Sequence, residues 1–188
     1  MSIQAVNKYL SSNVTLPFFL VVGDKQYKGV KSKLSELGLA FVRVSDYCGG
    51  EDKLPDIDSL VRHLKTIHKN DDNNRVVVIG LGEYLALRGS EEALMALSRL
   101  KDLNICEAKV IILSRGIALQ IDSLRSDLRF DNRRFCIIDK AECDLSITLA
   151  LPSAGLSAFS GIKSLLMALE DGKRGDVVVN TSVNLDNS

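Results

Sequence analysis

Residues 76–83 read Val-Val-Val-Ile-Gly-Leu-Gly-Glu, a continuous apolar run that ends at a glycine. Four consecutive β-branched residues favour a strand, and the lack of polar positions among them indicates that both faces of that strand are buried. The two glycines permit a tight passage from the strand into a helix. A strand buried on both faces belongs to a parallel sheet with helices on either side, so this stretch predicts an α/β protein.

The same pattern recurs along the chain, so that strands and helices alternate. We predict further strands at 18–22, 39–44, 110–113, 135–138, 147–151 and 177–179. This alternation predicts a three-layer sandwich: a mostly parallel sheet of about six or seven strands, helices on both faces, and a Rossmann-like or P-loop-like topology. Only about eight residues separate Ile138 from Ile147, too few for a helical crossover, and this predicts a reversed strand or hairpin near 139–146.

Composition places the chain among ordinary globular proteins. It has 188 residues, of which 46% are hydrophobic and 26% charged, and this mix excludes a disordered or fibrous chain. Lys and Arg together number 24, as do Asp and Glu, so the net charge is zero and we expect no direct nucleic-acid contact. The length fits a single α/β domain, 1–188. Because the last predicted strand is followed only by 180–188, we expect an N-terminal piece of a longer protein.

The expected location is the cytoplasm. No apolar run reaches the roughly 18 to 20 residues that span a bilayer, and the first residues lack the pattern of a signal peptide. We therefore expect no membrane association. Four cysteines lie far apart without a CxxC motif, which indicates reduced thiols; they are Cys48, Cys106, Cys136 and Cys143.

The junction after the first predicted strand is where a phosphate-binding loop would lie, because a helix N-terminus there offers free N–H groups to an anion. A Walker A loop needs Gly, four residues and then Gly-Lys-Ser/Thr. Here Gly23 is followed after four residues by Lys28-Gly29-Val30. Lysine and glycine are exchanged, and no hydroxyl is placed for magnesium. The alternative is a turn with solvated lysines, and we predict no cofactor.

Two later junctions resemble parts of a P-loop ATPase without its chemistry. Gly80 occupies the position at which such an ATPase has the Asp that holds a magnesium-bound water, and Glu83 is the nearest acid. Ser114 and Arg115 end a strand that is similar to the sensor strand of those enzymes. The alternative is that Gly80 and Gly82 only permit a tight turn.

A ligand of such a sheet would bind at the carboxyl ends of its strands. The residues that would line this site are Gly23, Lys25, Lys28, Asp46, Gly82, Glu83, Ser114 and Arg115. We predict no catalytic and no metal-ligating residues: His63 and His68 point about 140° apart on one helix and cannot share a metal ion. The arginines at 125–134 alternate with acids, which favours ion pairs on a helix surface over a nucleic-acid patch.

Four stretches taken together resemble one protein family: FFLVVGDKQYKGVKSKL, VVVIGLGEYLALRGSEEAL, RFDNRRFCIIDKAECDLSITLALPS and the closing VVVNTSVNLDN. They are similar to the N-terminal region of PglZ-type proteins of BREX bacteriophage-defence systems, most of all those of type 4. The resemblance implies a full-length protein with an alkaline-phosphatase-like, metal-dependent hydrolase domain that acts with other BREX components. The clustered Asp and His ligands of that domain do not occur in this sequence, so none of its site residues is carried over.

The missing catalytic groups and this resemblance together predict a non-catalytic interaction or positioning domain. Its partner would be another BREX subunit or the phosphatase-like domain of its own chain. The alternative is a degenerate α/β domain that binds a nucleotide or another small ligand, with weak hydrolysis at most. The two hypotheses differ in whether a nucleotide stabilises the fold.

Overall fold

Helices and strands alternate in the computed structural model, which describes residues 2–14, 17–87, 95, 99–100, 103, 106–115, 135–137 and 161–172. The helices are α1 (Ser2–Ser11), α2 (Asp24–Glu36), α3 (Ile57–Thr66), α4 (Leu81–Leu87) and α5 (Ile162–Glu170). The strands are β1 (Phe18–Val22), β2 (Ala40–Arg43), β3 (Arg75–Ile79), β4 (Lys109–Arg115) and β5 (Phe135–Ile137). A 3-10 helix, Val44–Tyr47, follows β2 directly.

The strands of the described residues form one sheet in the order β2-β3-β4-β1-β5, and each neighbouring pair is parallel. This confirms the α/β class and the parallel sheet. These residues contain five strands rather than six or seven; the strands predicted at 147–151 and 177–179 and the reversal near 139–146 lie outside them. Because β1 lies between β4 and β5, the order also differs from that of the Rossmann fold, in which β1 is beside β2.

Helices cover both faces of the sheet. Successive side chains of a strand point to opposite sides, so each strand contributes side chains to both faces. One hydrophobic cluster joins α3, α4 and α5 to Val76 and Val78. The other joins α1 and α2 to Val77 and Ile79. All four of these β3 side chains are at most 1% exposed. The continuous apolar run therefore serves two cores, one on each face, and the described residues make three layers.

The carboxyl ends of the parallel strands lie at one edge of the sheet, which we call the carboxyl edge. From β1 the chain continues into α2 on one face, and from β3 it continues into α4 on the other face. The strand β4 lies between β1 and β3. Ligands of open α/β sheets bind at this edge, where the connections leave in opposite directions. The carboxyl edge is therefore where a ligand site is expected.

Candidate functional site

A buried carboxylate, that of Glu170, lies at the carboxyl edge beside the ends of β2 and β3. Glu170 ends α5 and is nevertheless 0% exposed. The Ser45 N–H donates to Oε1 at 2.9 Å, and the Ser45 hydroxyl donates to Oε2 at 2.7 Å. The guanidinium of Arg43 approaches Oε2 with Nη1 at 3.5 Å. Both carboxylate oxygens are therefore satisfied by groups at the end of β2.

Gly80, at the end of β3, makes room for this carboxylate. Its φ of +88° is a left-handed conformation that side-chain-bearing residues rarely adopt. A Cβ at this position would overlap the Glu170 side chain, lying only 2.7 Å from its Cγ and 2.9 Å from its Cδ. Glycine is thus required here twice, for the turn into α4 and for the close approach of Glu170.

The end of α5 is also held through its backbone. The Tyr27 hydroxyl and the Lys31 ammonium donate to the Glu170 carbonyl at 2.8 and 3.2 Å. Arg43 pairs with Asp171 at 2.7 Å from Nη2 to Oδ1. Cations and hydroxyl donors are favourable at a helix C-terminus, where the carbonyls lack partners and the dipole is negative. These contacts join α5, which covers one face, to α2, which covers the other.

Burial raises the pKa of Glu170 above its ordinary value. Removal from water is the largest cause, the hydrogen bonds from Ser45 and the charge of Arg43 oppose it, and the negative charge of Glu83 adds to it. Glu83 lies in the first turn of α4 and is itself 0% exposed. The carboxyl edge thus brings two buried acids near one another, which disfavours the ionised form of Glu170.

The structure brings several of the sequence-predicted site residues to this edge. Gly23 follows β1 directly, and Ser114 and Arg115 pair in register with the last two residues of β1. Gly82 and Glu83 are buried in the first turn of α4.

The other three predicted site residues are exposed to solvent. Lys25 and Lys28 lie on α2, and Asp46 lies in the 3-10 helix. The Lys28 side chain packs beside Gly172, just past the end of α5.

Ser114 has a buried hydroxyl at the β4 end of this edge. The residue is 1% exposed, and its Oγ has no hydrogen-bond partner among the described residues. Val110 and Ile112 of the same strand belong to the cluster under α3, α4 and α5, so the alternation places Ser114 on that face as well. A buried hydroxyl without a hydrogen bond costs free energy, and a polar group placed beside it would supply that hydrogen bond.

Sequence reasoning did not select Arg43, Ser45 or Glu170. Glu170 directly follows the apolar residue Leu169 on α5 and has the pattern of a solvated helix end. Its partner Ser45 is 125 residues away in the sequence. No local signal connects two such positions, and only the folded structure places them together.

The described part of the chain holds no group of three or more His, Cys, Asp or Glu side chains that could bind a metal ion. Among the helices that the structure describes, none combines the length and apolar character that a bilayer span requires.

Comparison with known proteins places this chain in a family. A family model described as a domain of unknown function, DUF7864, matches residues 1–181. The chain belongs to this family. No curated protein and no solved structure matches the chain. The description of this family names no activity.

Gly80→Ala should destabilise this DUF7864 domain more than Gly38→Ala. Both glycines have positive φ, +88° and +74°, so both substitutions carry the left-handed cost of about 1 to 2 kcal/mol. Only at Gly80 does the new methyl group also overlap Glu170, whereas nothing lies within 4 Å of the Cβ position at Gly38. We expect urea unfolding to show a further loss of about 1 to 3 kcal/mol for Gly80→Ala. Equal losses of unfolding free energy in the two variants would show that a methyl group at position 80 does not overlap Glu170.

Glu170→Gln should flatten the dependence of stability on pH. Because the folded-state pKa of Glu170 lies above its ordinary 4.5, the folded chain holds the proton more tightly than the unfolded chain does. The stability that Glu170 contributes is therefore full below pH 4.5 and is lost as the pH rises through the raised pKa.

The measurement is the free energy of unfolding in urea from pH 4.5 to 8, compared with the exposed acid variant Glu36→Gln on α2. We expect the Glu36→Gln curve to follow the wild type and the Glu170→Gln curve to fall less steeply. Parallel curves for all three proteins would contradict a raised pKa of Glu170 in the folded chain.

Proposed function

We propose that this chain is a non-catalytic N-terminal interaction or positioning domain of a BREX-type phage-defence protein with a phosphatase-like domain. It contacts another BREX subunit or that phosphatase-like domain, and the full-length protein carries the metal-dependent hydrolase site elsewhere. The proposal rests on the resemblance of four stretches to PglZ-type proteins. One observation supports the statement that the domain is non-catalytic: the chain's own Glu170 carboxylate fills the carboxyl edge beside β3.

Glu170 occupies the space that phosphoryl chemistry would need. A P-loop ATPase has an acid after the strand equivalent to β3, and this acid holds a magnesium-bound water near the phosphates. Here Gly80 takes that position, and the side chain of Glu170 lies against it. A nucleotide–magnesium complex would have to displace a carboxylate that accepts two hydrogen bonds from Ser45. This supports a function through contact rather than turnover.

The junction between β1 and α2 also lacks the parts of a phosphate loop. The strand ends at Val22 and the helix begins at Asp24, so Gly23 alone connects them. The Gly23 carbonyl accepts the N–H groups of Gln26 and Tyr27 at 3.1 Å, so regular helix starts at once. A Walker A loop needs several residues between strand and helix to surround the phosphates. The single-residue junction supports the same conclusion.

The proposal extends to the architecture of the complete sheet. We propose a complete sheet of six or seven strands in a three-layer sandwich of P-loop-like topology, with a reversed strand near 139–146. The position of β4 between β1 and β3 supports it, because the sensor strand of P-loop ATPases has that place. The fold would then share the ATPase framework without its chemistry.

A second candidate function, degenerate binding of a nucleotide or another small ligand, is favoured by Ser114. Its buried Oγ has no partner among the described residues and lies beside the end of β1. The carboxyl edge at this point is where α2 and α4 leave the sheet on opposite faces, the usual place for a ligand. Gly23, Gly82, Glu83 and Arg115 belong to the same edge.

Deletion of residues 1–188 from the full-length protein should abolish co-purification of its BREX partner subunits and abolish phage restriction. The physical reason is that a positioning domain provides the contact surface and no chemistry of its own. The control is the full-length protein expressed at the same level. Intact complex assembly and intact defence after the deletion would rule out the proposed function.

Thermal unfolding with ATP or GTP and magnesium separates the two candidates. A ligand at about 100 times its dissociation constant adds about 2.7 kcal/mol of stability. The interaction domain predicts no change in the melting temperature with either nucleotide. A rise in the melting temperature that the Ser114→Ala substitution removes would establish ligand binding instead of the interaction domain.

A further inference from the structure

We infer that Arg43, Ser45 and Gly80 form a carboxylate-binding site, hereafter the carboxylate site, and that Glu170 fills it as an intramolecular ligand. The inference does not depend on the proposed function, because it concerns how the carboxyl edge recognises a chemical group. Helix α5 then carries a tethered ligand that closes this part of the edge to other anions.

The donors of the carboxylate site are arranged for a group with two oxygens. Ser45 provides one donor to each oxygen, its N–H to Oε1 at 2.9 Å and its hydroxyl to Oε2 at 2.7 Å. Arg43 adds a positive charge 3.5 Å from Oε2. Ser45 is 0% exposed with Glu170 in place, so the bound carboxylate excludes water from both donors. Charge-assisted hydrogen bonds of this kind are the strong ones in proteins.

The shape of the carboxylate site selects a flat group. The bare Cα of Gly80 forms one wall, and the Glu170 side chain lies so close to it that no methyl group fits between them. A planar carboxyl group packs against such a wall, whereas a tetrahedral phosphate is thicker. The site should therefore take a carboxylate in preference to phosphate.

Helix α5 has other attachments that hold it in place when the Glu170 side chain is removed. At its C-terminal end, Tyr27 and Lys31 donate to the backbone carbonyl of residue 170. At its N-terminal end, the Lys163 N–H donates to the Glu51 carbonyl at 3.0 Å and the Ser164 hydroxyl to the Glu51 carboxylate at 2.7 Å. Truncation at position 170 should thus leave the carboxylate site assembled and empty.

The test is chemical rescue of Glu170→Ala by a free carboxylate. Melting temperatures are measured at pH 5.5 in about 200 mM sodium acetate and in sodium chloride of equal ionic strength. We expect acetate to raise the melting temperature of Glu170→Ala by about 4 °C over chloride, the shift for a ligand at about ten times its dissociation constant. Wild type and Glu170→Gln, in which the site is filled, should show no difference between the salts.

Two further arms identify the site and its ligand. The double variant Glu170→Ala with Ser45→Ala should lose at least half of the acetate shift, because the hydroxyl donor is gone. Sodium phosphate of equal ionic strength should raise the melting temperature of Glu170→Ala less than acetate does. The inference is overturned by an equal acetate shift in wild type, by a larger shift in phosphate, or by no shift in a folded Glu170→Ala. A Glu170→Ala chain that stays unfolded at every acetate concentration while Glu170→Gln folds also counts against it.

Discussion

The carboxylate of Glu170 and the two donors of Ser45 form the interaction on which the arrangement of the carboxyl edge depends. An ionisable group removed from water is costly unless its hydrogen bonds are replaced, and here both oxygens receive one. The contact fixes the last turn of α5 to the end of β2. It also explains why Gly80 has no side chain, since the carboxylate lies in the space that a Cβ would fill. One interaction thus restrains α5 and the ends of two strands.

This interaction contributes specificity of arrangement more than net stability. Removal from water raises the pKa of Glu170 although the hydrogen bonds from Ser45 and the charge of Arg43 oppose the rise, and a buried ionic contact of this kind is weak evidence for stability. The partly exposed pair between Arg43 and Asp171 adds little, because solvent screens it. The stability of the fold comes instead from the two apolar clusters on either side of β3. The buried carboxylate favours this placement of α5 because it satisfies both Ser45 donors, in addition to the contacts that Tyr27 and Lys31 make with the end of the helix.

The strands of the described residues were predictable from sequence and the polar site was not. The run 18–22 is a strand with the predicted bounds, and β3 differs from its prediction by one residue, because apolar runs of this kind need burial on both faces. The first turn of α2, which begins at Asp24, is polar except for the buried Tyr27, so it has no apolar periodicity from which a sequence could predict where the helix starts. The pairing of Ser45 with Glu170 spans 125 residues and has no periodic signature.

The two halves of the carboxyl edge differ in how their buried hydroxyl groups are satisfied. Beside β2 and β3, both Ser45 donors are satisfied by Glu170, whose side chain fills the space next to Gly80. Beside β1 and β4, the Ser114 hydroxyl is buried without a partner among the described residues. A ligand at the β1–β4 end, next to Gly23, would gain a hydrogen bond with the Ser114 hydroxyl. The single-residue connection from β1 to α2 provides no loop of the Walker A kind to surround a triphosphate at this junction.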